Sequence, residues 1–389
     1  MKWLLLTLPL LAVITLGACD DDGLLGPTND SAATTNEVML DAVRAGSPAL
    51  NVMTWNIYVG ADLNQLLAGD PTRIGCGVAD IYGDVLATDF EARAVAIADQ
   101  IEAHQPHVVG LNEVSTFQFQ YGFFHEDLVF LDILMDELGS RGLNYVAPAA
   151  ARSTNFQITL PISYDTEECS PQDALSYTEY DVILVRGDVG VDDAAHGNFS
   201  VPLPLPYGLP AKYSGWASVD ISHKDLPYRV FTTHLEPADT GPCAIDDQLI
   251  QVHGAQAYEL MGVLNDESWD HPVILTGDLN SDASGCTTDT YPDLIDAGFV
   301  DAWDIGRPRG NGFTSNQAAD LLNATSRLWH RIDFVLYRDA FTTRTGNFRG
   351  SSHTELVGEE QADRTSSGLW PSDHAGVVAE LRIAPGLGH

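Results

Sequence analysis

"HPVILTGDLNSD" (271–282) sets three aliphatic residues, Val273, Ile274 and Leu275, directly ahead of Gly277, Asp278, Asn280 and Asp282. A short apolar run bounded by turn residues reads as a buried strand. Gly, Asp and Asn favour turns, so the stretch alone fits a strand that merely ends. It becomes decisive because the pattern recurs. "LNVMTWNI" (50–57), "HVVGLNEV" (107–114), "YDVILVR" (180–186), "YRVFTTHL" (228–235), "HRIDFVLY" (330–337) and "AGVVAEL" (375–381) are further strand candidates. Asn56 closes the first and Glu113 follows "VVGLN". His234 follows "VFTT", Asp333 lies within "RIDFVL", and Asp373 and His374 precede the last strand. One polar strand end is a turn. Several together look like a site assembled from different strands on a rigid scaffold.

Helical stretches separate the strands. In "DFEARAVAIADQIEAHQ" (89–105), Phe90, Ala94, Ile97 and Ile101 fall on one face. "EDLVFLDILMDELGSRG" (126–142) and "IDDQLIQVHGAQAYELMGVLN" (245–265) read similarly, and Gly142 suits a helix stop. The alternation indicates an α/β protein whose sheets are covered on both faces. "VPLPLPYGLP" (201–210) is expected to be a surface loop or extended connector.

The chain has 389 residues, 44% hydrophobic and 19% charged, with a formal net charge of -36. That charge disfavours passive attraction to polyanions, although a metal ion can still draw one to a site. Lysine occurs only at Lys2, Lys212 and Lys224. Arg307, Arg309, Arg327, Arg331, Arg338, Arg344 and Arg349 gather late in the chain, as a phosphate-facing edge or as scattered surface residues.

"MKWLLLTLPLLAVITLGAC" (1–19) has a lysine, an apolar run short for a membrane span, and small residues before Cys19. "LGAC" resembles the bacterial lipobox, whose cysteine is lipidated. The expected layout is a lipoprotein signal peptide over 1–18, a polar tether over 19–48 and one catalytic domain over 49–389. The protein is then exported, anchored to a membrane through Cys19, and facing the periplasm or the cell surface. Cys76, Cys169, Cys243 and Cys286 remain, an even set that suits disulfides in an exported protein. Sequence alone leaves their pairing open.

The polar set narrows the chemistry. Glu, Asp and Asn are hard oxygen ligands suited to Mg²⁺, Mn²⁺ or Ca²⁺. Zinc-finger spacings, H-E-x-x-H, G-x-S-x-G and a Gly-rich phosphate loop with lysine are all missing. A metal, an acid that orients water and imidazoles around an anion are what phosphoester hydrolysis needs.

In their order, "TWNI", "GLNEV", "THL", "TGDLNSD", "RIDFVL" and "SDHAGVV" resemble the endonuclease/exonuclease/phosphatase superfamily with the deoxyribonuclease-I-like fold. The resemblance spans Asn51 to about Leu381. It implies a four-layer sandwich, two packed mixed sheets with helices outside, and a site at one end. It implies Glu113 as the main metal ligand, with Asn56 and Asp373 completing the shell around Mg²⁺, Mn²⁺ or Ca²⁺. Asp278 would orient or deprotonate water, Asn280 would hold a phosphate oxygen, and His234 and His374 would contact the scissile phosphate. Asp333 would pair with His374 and fix its tautomer. Asp282 reads as a turn residue. "GFTSN" (312–316) resembles the family's segment ahead of the "RID" strand. Gln248 and Gln256 match a position where the family often carries glutamine, or are solvated helix residues.

Cys243 and Cys286 follow His234 and Asp278 by similar distances, which predicts a Cys243–Cys286 bridge in loops at the site's end and, by elimination, Cys76–Cys169. "YTEYDVILVR" departs from the family, which often has Asn-Gly there; Tyr180 is its candidate for the residue over the phosphate. The insertion between Glu113 and that strand carries Phe117, Phe119, Tyr121, Phe123 and Phe124, as a packed loop or as a surface for lipid or base. The function expected is a metal-dependent phosphodiesterase, leaning to nucleic acid, with a phospholipid headgroup, sphingomyelin included, as the alternative. A non-catalytic binding protein on the same fold is the second alternative, and a thiol function is disfavoured because no C-x-x-C occurs. The oligomeric state is open, with a monomer the default.

Overall fold

The computed structural model describes residues 48–383, apart from 122–123, 242–243, 267–270, 307, 309 and 340–349. Its first strands are β1 (Ala49–Asn56), β2 (Val108–Tyr121), β3 (Phe124–Val129), β4 (Tyr145–Val146), β5 (Arg152–Ile162) and β6 (Asp173–Arg186). Then come β7 (Gly190–Asn198), β8 (Gly215–His223), β9 (Leu226–His234), β10 (Asp239–Gly241) and β11 (Ala244–Ile245). The last are β12 (Val273–Asp278), β13 (Val300–Asp301), β14 (Asp333–Arg338), β15 (Gly350–Val357) and β16 (Gly376–Ile383). The helices are α1 (Asn64–Ala68), α2 (Ile74–Ala87), α3 (Phe90–His104), α4 (Phe130–Ser140), α5 (Leu249–Leu264), α6 (Thr290–Asp296) and α7 (Ala302–Gly306).

Two mixed sheets form. One runs β15-β16-β1-β2-β6-β4, with β3 beside β2 and β5 beside β6; the other runs β13-β14-β12-β9-β8-β7. β1 is parallel to β2 and antiparallel to β16, and β12 is parallel to β9 and antiparallel to β14.

Side-chain alternation explains the layering. Leu50 and Val52 of β1, Ile274 of β12 and Val335 of β14 meet in the apolar layer between the sheets. Met53 and Trp55 face outward and pack under α2, α3 and α4 with Phe90, Ile97 and Leu134. Leu275, Phe334 and Leu336 face outward on the second sheet and pack with Leu260 of α5 and Leu294 of α6. The result is the four-layer α/β sandwich that the resemblance implies. Gly110 lets the sheets approach: a Cβ there would stand 2.2 Å from Thr276 Oγ1.

The observed elements refine the expected ones. Residues 126–129 belong to β3, so the helix expected over 126–142 is α4 alone. The insertion after Glu113 is strand rather than loop, because β2 continues to Tyr121 and pairs with β6. Phe117 is buried there against Tyr82, Phe130 and Tyr177. Cys76 and Cys169 form a disulfide. Cys286 is disulfide-bonded as well, and its expected partner Cys243 lies outside the described residues, as do Cys19, the signal segment and nearly all of the tether.

Candidate active site

Register gathers the polar strand ends. His234, Asp278 and Asp333 sit side by side across β9, β12 and β14. Asn56 and Asn112 are neighbours on β1 and β2 in the facing sheet. Glu113 follows at a shift in the β2–β6 register, with φ at 56°. A bulge of this kind re-aims a side chain. Gly277 is required by its own strand: its φ is 133°, and a Cβ would lie 2.0 Å from Thr233 O.

The two sheets meet at the Asn56 amide. Its Nδ2 donates to Glu113 Oε1 at 2.9 Å and to Asp278 Oδ2 at 3.2 Å. The other Glu113 oxygen accepts from Val59 N at 2.8 Å. Asp278 Oδ2 is 3.6 Å from His234 Nε2 and 3.8 Å from His374 Nε2. His374 Nδ1 lies 2.8 Å from Asp333 Oδ2. Asp278 Oδ1 accepts from Asn280 N at 2.9 Å, while Asn280 Nδ2 donates to Leu235 O at 2.8 Å. Asp373 precedes His374 in a loop that Ser372 ties to Asn56 O at 2.6 Å. "GFTSN" supports this end, since Thr314 Oγ1 accepts from Asp333 N at 3.2 Å and Ser315 Oγ lies 3.4 Å from His374 Nε2.

Burial and crowding set the charges. Burial, then Asp333, pushes the Asp278 carboxyl up to about 6 against the pull of His234 and His374. Burial raises Asp373 to about 7, with Glu113 and Asp278 adding to it and His374 and Arg93 opposing. Burial disfavours an imidazolium at His374, but Asp333 and Asp373 outweigh it and raise the group well above its ordinary value. At His234 burial again opposes, and Asp278 above all outweighs it. Carboxyls raised first by burial and further by neighbouring carboxylates, next to an oxygen-rich donor set, fit a hard divalent cation. Among the described residues, Asp278, Asp333 and His374 form one acid and imidazole group tight enough to hold an ion, with ligand atoms within 4.8 Å.

Several further residues support the site, Asn112 from within "GLNEV" and the others outside any motif. Asn112 donates to Asp181 Oδ1 at 2.7 Å and accepts from Asp278 N at 3.0 Å. Glu179 Oε1 lies 4.0 Å from His234 Nδ1 and 3.3 Å from Lys212 Nζ. Burial would raise Glu179, but Lys212 and His234 hold it below its ordinary value. Lys212 also reaches Glu236 Oε1 at 3.4 Å. Arg93, fully buried, donates to the carbonyls of Ile57 (2.6 Å), Tyr58 (3.1 Å), Thr88 (2.9 Å) and Pro371 (3.1 Å). A charge on the apolar face of α3, and a rare lysine, were the available signals.

Other candidates lie elsewhere. Tyr180 sits under Arg152, and in strand alternation it falls on the opposite face of β6 from Tyr177 and Glu179. Gln256 is buried and holds Glu236 N at 3.0 Å, a structural post. Asp282 is a turn residue that accepts from Ser284 N at 2.8 Å. Of the late arginines, Arg327, Arg331 and Arg338 are described, and Arg327 Nε donates to Asn316 O at 3.1 Å. Arg331 pairs with Asp301, and Arg338 binds Asn265 and Leu264 O at the end of α5. Arg307, Arg309, Arg344 and Arg349 lie outside the described residues.

A model of the endonuclease/exonuclease/phosphatase family matches residues 53–374. Among solved structures, the chain is similar to an endonuclease/exonuclease/phosphatase family protein from Leptotrichia buccalis C-1013-b, at 13% identity and TM-score 0.52, covering 86% of this chain and 99% of that one. It is similar to humanized D. rerio TDP2 carrying 14 mutations, at 16% and 0.51, covering 86% and 98%. It is also similar to D. rerio TDP2 complexed with a single-strand DNA product, at 16% and 0.50, covering 86% and 98%. At such identities the likeness concerns the fold. No curated protein matches the chain.

Proposed function

The chain belongs to the endonuclease/exonuclease/phosphatase family, and from that premise we propose that it is a divalent-metal-dependent hydrolase of phosphoric diesters. The observation that carries this is the position of Asp278. One oxygen lies within 4 Å of two imidazole nitrogens and accepts from the Asn56 amide that also binds Glu113.

Glu113 and Asp373 would hold the cation, and Asn56, whose Nδ2 faces the acids while its Oδ1 accepts from Tyr58 N at 3.0 Å, would steady Glu113 and complete the shell through water. The alternative group around Asp278 is less suited, since Asp333 is engaged by His374 Nδ1 and a protonated His374 repels a cation. When bound, the cation offsets charge on the phosphate oxygens. Asp278 orients and deprotonates the attacking water, a task that suits a carboxyl titrating near 6. His374, held by Asp333, presents its Nε2 to the phosphate and keeps the proton that Asp333 stabilises. His234 faces the same oxygens from β9. Asn280, fixed by Leu235 O, offers its remaining amide hydrogen to a phosphate oxygen.

Nucleic acid and a phospholipid headgroup are the two substrate classes to compare, and Arg331 and Arg338 are engaged by internal partners. A non-catalytic role would not call for the full polar set. Export through a lipidated Cys19, with one catalytic domain from 49 onward, completes the proposal. Mass spectrometry of the native N-terminus that finds no lipid on Cys19 would overturn that part. For the activity, the test is a hydrolysis screen over DNA, RNA, sphingomyelin, phosphoinositides and a generic diester with Mg²⁺, Mn²⁺ and Ca²⁺. No turnover of any of them contradicts it.

A further inference from the structure

A cavity of about 600 Å³ opens directly from the catalytic residues, a size typical of small-molecule sites. His234, Asp278, Asn280 and His374 line one end. Glu113, Glu179, Lys212, Glu236, Asp246 and Gln248 add polar groups to the wall, and its apolar part comes from α2, β5, β6 and the proline-rich 201–210 loop, through Ile81, Ile158, Leu160, Leu175, Leu205 and Leu209.

The wall is a built gradient. Phe156, Ile158 and Leu160 share one face of β5, opposite Glu179, Tyr177 and Leu175 of β6 in register. Glu179 stands beside His234. From there the ladder passes through the Tyr177–Ile158 pair to the Leu175–Leu160 pair, roughly 13 Å along the strand at ~3.3 Å per residue. Lys212 lines the cavity too, but it is spent on Glu179 and Glu236. A polynucleotide is held through repeated cationic contacts to its phosphates, and this cavity offers leucines and isoleucines where those contacts would fall.

We propose that this cavity is the subsite for the apolar chain of an amphiphilic phosphodiester, so that the substrate is a phospholipid-class ester. The inference rests on the phosphodiesterase reading and adds the substrate class. The phosphate would sit against Asp278, His234 and His374, and the chain would lie along the β5–β6 ladder under the proline-rich loop.

The test uses the full-length protein with Mg²⁺ and 4-nitrophenyl phosphodiesters whose second group is methyl, butyl or octyl. Each methylene buried should raise kcat/KM about three- to fourfold, which gives at least a hundredfold from methyl to octyl. Leu205→Glu and Leu209→Glu, at half-buried loop positions, should erase that rise and leave the methyl ester within twofold of the parent. Ile158→Trp, which fills the cavity instead of charging it, should do the same. An octyl to methyl ratio near one, or faster turnover of a single-stranded oligonucleotide than of the octyl ester, overturns the inference and leaves the phosphodiesterase reading standing. Calorimetric binding of octyl phosphate and methyl phosphate separates the two failures. Octyl phosphate binding far tighter than methyl phosphate, with the difference lost in Leu209→Glu, supports the subsite even where no ester is hydrolysed. Equal binding of the two overturns it.

Discussion

Arg93 holds two halves of the site in one grip, and Arg93→Met tests what that grip contributes. Its guanidinium joins the carbonyls after β1, at Ile57 and Tyr58, to Pro371 just before the Asp373–His374 loop. It also satisfies Thr88 O and stacks 4.9 Å from the Phe90 ring. Burial, eased by Asp373, lowers its pKa to about 10, so it stays charged at neutral pH. Methionine keeps the apolar stem and strands the carbonyls. A buried carbonyl left unpaired costs about 1–3 kcal/mol. With partial relaxation the net loss is about 3–5 kcal/mol, the range for breaking a buried charged network. At ~2.1 cal/mol/K per residue over roughly 340 residues, the unfolding entropy is ~0.7 kcal/mol/K, so the midpoint should fall by about 4–7 °C. Release of both loops should also cut kcat/KM by about 10²-fold, as ångström-scale misplacement does. Calorimetry with a parallel diester assay reads both. An unchanged midpoint, with kcat/KM within twofold of the parent, refutes the reasoning.

Asp333→Asn removes the largest charge that favours His374 in its protonated form, so the alkaline limb of the kcat/KM profile should move to lower pH, with a loss of about 10–100-fold at neutrality; an unmoved limb refutes that role. Asp278 and Asp373 titrate above the ordinary carboxylate range, so the metal-free native state binds more protons than the unfolded chain and loses stability as pH rises from about 4 to 7. Mg²⁺ should therefore raise the melting midpoint more at pH 8 than at pH 5, and Asp373→Asn should shrink that difference; an equal rise at both pH values contradicts it. Cys76→Ser opens a loop whose ends are 93 residues apart, with an expected destabilisation of up to about 4–5 kcal/mol, read by denaturant titration. Non-reducing peptide mapping that joined Cys76 to Cys243 would overturn this pairing.

Much of the fold was legible because its central strands are buried on both faces and read as plain apolar runs, as Val273–Leu275 do. The residues at their ends stood out against that background, which is how Asn56, Glu113, His234, Asp278 and Asp333 were found. β5 was missed because one face lines a cavity and the other alternates with polar groups, so "RSTNFQITLPI" resembles a loop. Glu179 and Lys212 were missed for a different reason. Each has meaning only through the other and through His234, and no local spacing records a contact across 33 residues of chain. Arg93 was visible as a charge on the apolar face of α3, but its acceptors are carbonyls, which leave no trace in a sequence. Among the described residues the late arginines show the converse: Arg331 and Arg338 are near in sequence but face different internal partners.

The central claim, a metal-dependent phosphodiesterase centred on Asp278, is tested most directly by hydrolysis of bis(4-nitrophenyl) phosphate after exhaustive chelation and re-addition of Mg²⁺ or Mn²⁺, comparing the parent with Asp278→Asn and His374→Ala. The account expects no turnover after chelation, recovery with metal, and a loss of at least about 10²-fold in each variant that metal does not restore. Full turnover in the chelated parent, or parent-like rates in Asp278→Asn, would contradict it.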